Sequence, residues 1–184
     1  MSILKILNEN NLWENIKSQK PFVFRNSGLP EVTWKEILSL VYSDFKIGKS
    51  LGQGDKGRYD EFGFKVMRAD RIDAIHNEIQ ELEKLFKVSQ DFTVVPRAAH
   101  QLYISIATQE RSYGVPHSDP ENVFFWQLRG KGNWKIWSED KQEVELDEVL
   151  QPGDILYCPP NRTHHVVAIT PRAGVSIGFG ELIE

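Results

Sequence analysis

The stretch Val115–Trp137, VPHSDPENVFFWQLRGKGNWKIW, decides how the rest of the chain is read. In extended backbone alternate side chains share a face, so His117 and Asp119 point one way and Ser118 the other. The aromatic run that follows, the turn at Gly130–Gly132 and the run NWKIW read as two strands joined by a tight connection. His-x-Asp ahead of such a strand is either a polar turn or two ligands of a metal whose third ligand lies further along. The segment Pro159–Ile169, PPNRTHHVVAI, offers His164 and His165 after a double-proline turn. The 45 positions from Asp119 to His164 leave room for about four short strands, enough to fold a late strand back beside an early one. Three of the five histidines fall in these two segments.

Working outward, the second half carries the β-like runs FTVV, QLYISIAT, NVFFWQL, NWKIW, QEVEL, DILYC, HHVVAI and GVSIGF. Many are separated by Gly- and Pro-containing turns such as Pro152–Gly153, Pro159–Pro160 and Pro171–Gly174. Eight short strands at this spacing suit a jelly roll, or double-stranded β-helix, the cupin architecture. The first half is helical and mixed. Leu4, Ile6, Leu7, Leu12, Trp13 and Ile16 recur at helical spacing, and KPFVFRN reads as a short strand. Thr33, followed by Trp34 and then Glu36, forms a capping box for a helix through about Tyr42. Asp70–Gln90 places Ile72, Ile75, Ile79, Leu82 and Leu85 on one helical face. Residues 45–59, rich in Gly, Lys and Asp, read as a loop that either covers a site or is simply exposed. The expected fold is therefore mainly β with N-terminal helices. It is one domain over residues 1–184, with a helical and mixed part at 1–95 packed on a jelly-roll core at 96–184.

Bulk properties agree with one domain: 184 residues, 40% of them hydrophobic. A net charge of −4, a pI near 5.8 and the lack of a basic run argue against a nucleic-acid partner. No apolar stretch is long enough to span a membrane, and the N-terminus lacks the pattern of a signal peptide. The single cysteine, Cys158, excludes an intrachain disulfide and points to a reducing, cytoplasmic setting. Nothing in the pattern fixes an oligomeric state.

Two imidazoles and one carboxylate on one face are the donor set of the facial triad of non-heme Fe(II) oxygenases. Neutral imidazole suits Fe(II), one carboxylate offsets part of its charge, and three protein ligands leave positions open for cosubstrate and dioxygen. The other readings are a core histidine beside a surface histidine and a polar His-x-Asp turn. Trp126, Trp134 and Trp137 either line a cleft or pack in the sheet, the commoner fate of strand aromatics. Phe124 and Phe125 fall on opposite faces, so one of them packs beneath the metal. Asn122 and Gln127 offer amides to a ligand or to nearby backbone. Cys158 reads as a small buried residue and Asp154 as part of a Pro-Gly-Asp turn.

The run from Pro116 to Trp137, with LQPGDILYCPPNRTHHVVAITPRAGVSIGFG (Leu150–Gly180), resembles the JmjC/cupin-like 2-oxoglutarate oxygenases, in particular the protein hydroxylases that include bacterial ribosomal oxygenases. The likeness covers roughly Tyr103 to Gly180. It rests on His-x-Asp, Phe-x-x-Gln-x-x-Gly and Pro-Gly-Asp-x-Leu-Tyr-x-Pro-Pro in combination. It implies that His117, Asp119 and His164 hold Fe(II), because the family's distal histidine follows by five positions the proline that ends Leu-Tyr-x-Pro, which is Pro159 here. His165 is the second choice. It also implies that 2-oxoglutarate and O2 are consumed to hydroxylate a C–H bond. The cosubstrate's far carboxylate needs a cation. The family's lysine or arginine position is Gly132 here, which leaves Arg129, Lys131, Lys135 and Arg172 as candidates, with Tyr103 and Asn122 as further polar contacts. A protein or peptide side chain is the implied substrate. The chain ends just after the last expected strand, without the extra C-terminal domain of larger relatives, which keeps a small-molecule substrate as the alternative. A metal cupin that does not use 2-oxoglutarate and a non-catalytic binding module are the remaining alternatives.

Overall fold

The computed structural model describes residues 5, 9, 11–25, 28–46, 63–67, 72–85, 101–105 and 116–179. In chain order the elements are helix α1 (Leu12–Lys17), strand β1 (Phe22–Phe24), helix α2 (Trp34–Lys46), strand β2 (Gly63–Met67), a 3-10 turn (Asp73–Ile75) and helix α3 (His76–Leu85). Strands β3 (Gln101–Ser105), β4 (Asn122–Arg129), β5 (Gly132–Trp137), β6 (Val144–Leu150), β7 (Ile155–Cys158), β8 (His164–Ala168) and β9 (Arg172–Phe179) follow. Phe45 and Lys46, read as the start of the loop expected at 45–59, instead end α2. The run FTVV, residues 47–59 of that loop and the N-terminal Leu4, Ile6 and Leu7 lie outside the described residues. No helix among them is long and apolar enough to cross a membrane.

Two sheets form, one in the order β1-β7-β4-β9-β3-β2 and one in the order β6-β5-β8. All of their pairings are antiparallel. This is the expected jelly-roll pattern of strands. The first half adds β1 at one edge of the large sheet and β2 at the other. β2 was not apparent in the sequence: GFKVM is short, and it is held by five paired positions on β3, a partner some 40 residues away.

Alternation sorts the side chains of the large sheet into two rows. Phe124, Trp126 and Leu128 of β4 and Ala173, Val175, Ile177 and Phe179 of β9 pack with Leu12, Ile16, Ile37, Leu40, Ile75 and Ile79. The helical layer thus covers the outer face. Val123, Phe125, Leu156 and Cys158 face the other way and pack with Trp134, Ile136, Leu146, Leu150 and Val166 of the small sheet. α2 starts at the capping box read from the sequence. Thr33 N–H donates to Glu36 Oε2 at 2.7 Å, and Glu36 N–H donates to Thr33 Oγ1 at 3.3 Å. These hydrogen bonds from Thr33 hold the Glu36 carboxyl below its ordinary pKa. Asp154 closes its turn by accepting from Gln151 N–H at 2.8 Å, and its carboxylate pairs with Arg25 at 2.9 Å, tying β1 to the turn before β7.

Candidate metal centre

β8 is an edge strand of the small sheet, and Pro116–Asp119 docks on its free side. His117 N–H donates to His164 O at 3.1 Å, and His164 N–H donates to His117 O at 2.7 Å. That reciprocal pair is an isolated antiparallel bridge. Residues opposite one another in such a pair carry their side chains on the same face. The two imidazole rings accordingly lie 4.4 Å apart between centroids. Asn161, in a left-handed conformation that Asn tolerates, donates its N–H to Asp119 O at 2.7 Å. This fixes Asp119 one pleat along from His117. Ser118 is exposed, while His117 and Asp119 turn inward. Four strands, β4 to β7, separate the two halves of the cluster along the chain.

His117, Asp119 and His164 each bring one ligand atom within 4.8 Å of the others. His164 Nε2 and Asp119 Oδ2 are 3.6 Å apart. Two atoms each about 2.1 Å from one ion are at most about 4.2 Å apart, so this pair is already within chelating range. His164 Nδ1 lies 3.1 Å from Arg162 O. A carbonyl only accepts, so that nitrogen carries the proton and Nε2 keeps its lone pair for the cluster. Trp134 stacks on His164, with centroids 6.0 Å apart and planes at 26°. Cys158 Sγ lies 3.7 Å from His164 Nδ1. Burial first, and then the charge of Asp119, push its thiol well above the ordinary range. It stays protonated and packs as a small apolar group, as its sequence position suggested.

The donor set of two imidazoles and one carboxylate fits a divalent iron ion, with Trp134 packed against Phe125 and His164 beside it and only three protein donors, so that positions would stay open to small ligands. A second feature fits an oxygen-rich organic ligand beside it. Trp134 Nε1, which can only donate, is buried and has no hydrogen-bond partner among the described residues.

The other sequence candidates separate cleanly. His165 sits opposite Lys135 on the outer face of the small sheet, away from the cluster. Lys135 pairs there with Asp147 at 3.1 Å. Lys131 is exposed in the β4–β5 turn. The β-bulge between Gln127 and Arg129 turns Arg129 toward the helical layer, where its guanidinium meets Val32 O and, at 3.6 Å, Glu31. Asn122 accepts from Tyr157 O–H at 2.7 Å on the helix-covered side. Gln127 donates to Arg129 O at 2.6 Å and so braces the turn. Tyr103 stands opposite Gly174 in the register of β3 and β9. Phe125, not Phe124, is the ring in the inner row, 4.6 Å from Trp134. Of the four cations only Arg172 enters the interior, where it is buried and crosses Gly132. Trp134 is the residue the sequence reading undervalued. Its signal was alternation, which sets it on the same face as Gly132 and Ile136.

The JmjC domain family model matches residues 74–182. The chain belongs to the JmjC family. Within it, this JmjC chain is 33% identical to the ribosomal protein uL16 3-hydroxylase of Escherichia coli, over 35% of this chain and 21% of that protein. It is 26% identical to the probable ribosomal oxygenase of Haemophilus influenzae, over 82% of this chain and 44% of that one. The JmjC chain thus spans less than half the length of the curated relatives it matches. A solved structure of YcfD, a ribosomal oxygenase from E. coli in complex with cobalt and 2-oxoglutarate, aligns over 92% of this chain and 51% of its own, with a TM-score of 0.58 and 19% identity. That likeness establishes a shared jelly-roll fold.

Proposed function

We propose that this JmjC domain binds Fe(II) through His117, Asp119 and His164, takes 2-oxoglutarate and O2 as cosubstrates, and hydroxylates a C–H bond of a protein side chain. The convergence of those three side chains, with ligand atoms within 4.8 Å of one another and one pair at 3.6 Å, carries the reading. The names of the relatives support it: two are ribosomal oxygenases or hydroxylases, and the YcfD structure holds cobalt with 2-oxoglutarate. When bound, the ion and 2-oxoglutarate would activate O2, so that one of its oxygen atoms would enter the substrate and the other would leave in succinate as 2-oxoglutarate is oxidised with loss of carbon dioxide.

The chain's own residues position and shield. The Arg162 carbonyl holds the His164 ring in the tautomer that aims Nε2 inward. The His117–His164 backbone bridge fixes the spacing of the two rings. Phe125, Trp134, Ile136 and Leu156 keep water from the inner side. Trp134 Nε1 offers a donor to a carboxylate or carbonyl beside the ion. A ribosomal-protein target would set the enzyme in the cytoplasm, in keeping with its single cysteine.

Anaerobic addition of Fe(II) and 2-oxoglutarate should develop the weak visible charge-transfer band of the chelate. Asp119→Ala should lower 2-oxoglutarate decarboxylation by more than the roughly 100-fold that loss of a merely supporting contact produces, with thermal unfolding unchanged. Iron binding without a band would mean a metal cupin of another kind. Parental turnover in iron-replete Asp119→Ala would overturn the assignment. A mass gain of one oxygen atom in a ribosomal-protein peptide would identify the substrate class.

A further inference from the structure

The loop between β7 and β8, residues 159–163, touches both halves of the histidine–aspartate cluster with its backbone. Asn161 N–H donates to Asp119 O at 2.7 Å, and Arg162 O faces His164 Nδ1 at 3.1 Å. Thr163 O accepts from Trp137 N–H at 2.9 Å, which ties the loop to the end of β5. Three consecutive residues thus set the backbone of one ligand, the ring of a second and the seat of both on the small sheet. Wherever this loop moves, Asp119 and His164 move with it.

The side chain of Arg162 anchors the loop. It is 14% exposed and reaches three other parts of the chain. Its Nε lies 3.6 Å from Glu145 Oε2 on β6, and its Nη1 lies 4.0 Å from Glu139 Oε2 in the β5–β6 turn. Its Nη2 donates to Gln19 O, just past the end of α1, at 3.4 Å. The two acidic contacts differ in weight. Glu139 is 87% exposed, where water and salt screen a pair almost entirely. Glu145 is 31% exposed, so its pair with Arg162 is screened less. Glu145 is also a bulge residue. Ile136 pairs with Leu146 and Trp137 with Val144, which leaves Glu145 opposite no residue of β5. A bulge re-aims the side chain it carries, and this one brings a carboxylate to Arg162.

We propose that Arg162, paired with Glu145, is a positioning residue of the metal centre: the pair fixes the loop whose backbone sets Asp119 and His164. This rests on the function proposed above and adds a residue that acts through the loop rather than on the ion. Groups that orient metal ligands in this way narrow the arrangements open to them before an ion arrives.

Metal-free protein is titrated with Co(II), whose visible d–d bands report both occupancy and ligand geometry, and is melted separately without metal. Arg162→Met keeps an unbranched side chain and removes the cation. It should weaken Co(II) about ten- to a hundredfold and alter the bands at saturation, measured below the melting transition. Arg162→Lys keeps the charge but not the fork and should fall between. Glu145→Gln should weaken Co(II) in the same direction. Arg162→Met combined with Glu145→Gln should bind Co(II) no more weakly than Arg162→Met alone, because both act through one contact. Glu139→Gln should match the parent. Parental Co(II) affinity and bands in Arg162→Met would overturn the proposal even if that variant melts earlier, since the arginine would then only stabilise the fold. Additive losses from the two substitutions would overturn the pairing with Glu145. If Arg162→Met does not fold, Arg162→Lys and Glu145→Gln decide, and parental affinity in both would overturn the proposal. A parent that takes no Co(II), or that loses no affinity in Asp119→Ala, would instead overturn the proposed function.

Discussion

Strands β4 and β9 carry one row of side chains toward the helices and another toward the small sheet, and the two rows differ in kind. The outer row is Phe124, Trp126, Leu128, Ala173, Val175, Ile177 and Phe179, all in one buried apolar cluster with the N-terminal helices. The inner row of β9 is Arg172, Gly174, Ser176 and Gly178. The same eight-residue strand thus presents large apolar side chains on one side and small residues, with a charge at one end, on the other. Period-two geometry lets one stretch of chain supply stability and chemistry independently, since a change in one row leaves the backbone of the other in place.

The comparison can be broken from either side. The largest effect belongs to the outer row. Trp126→Ala should lower unfolding free energy by about 3–5 kcal/mol in denaturant titration, while iron stoichiometry below the transition stays that of the parent. A loss under about 1 kcal/mol would show that the helical layer does not stabilise the sheet. The inner row should respond unevenly. A Cβ at Gly174 would fall 2.2 Å from Phe125 Cζ and 2.9 Å from Trp126 O, so Gly174→Ala should cost about 1–3 kcal/mol and disturb the wall of the site. Gly178→Ala points into open space and should change stability by less than about 0.5 kcal/mol. Equal losses for these two variants would mean that the interior is uniformly filled.

Much of this was legible before any coordinates. The pattern of turns and short strands specified a jelly roll. Thr33 and Glu36 specified their helix start because a capping box is local, needing only three residues of spacing. His117 and Asp119 could be put on one face because alternation is local too. Which of the four candidate cations enters the interior was not legible. Arg129, Lys131 and Lys135 are close in sequence to the histidine–aspartate motif, but the bulge after Gln127, the turn and the pleat send all three outward. Arg172 reaches the interior from a different sheet, through a space that exists because residue 132 has no side chain. That relation is non-local and shows only once the strands are paired. β2 escaped for the same reason: its partner strand, more than its own composition, defines it.

The central claim is that three side chains from two distant segments meet at a single ion. Its most direct test is anomalous scattering from crystals grown with Co(II), collected for the parent and for His164→Ala. The account predicts one strong peak per chain in the parent, within about 2.2 Å of a nitrogen of His117, a nitrogen of His164 and an oxygen of Asp119, and no peak there in the variant. A peak elsewhere in the parent, or one that persists in place without His164, would contradict it.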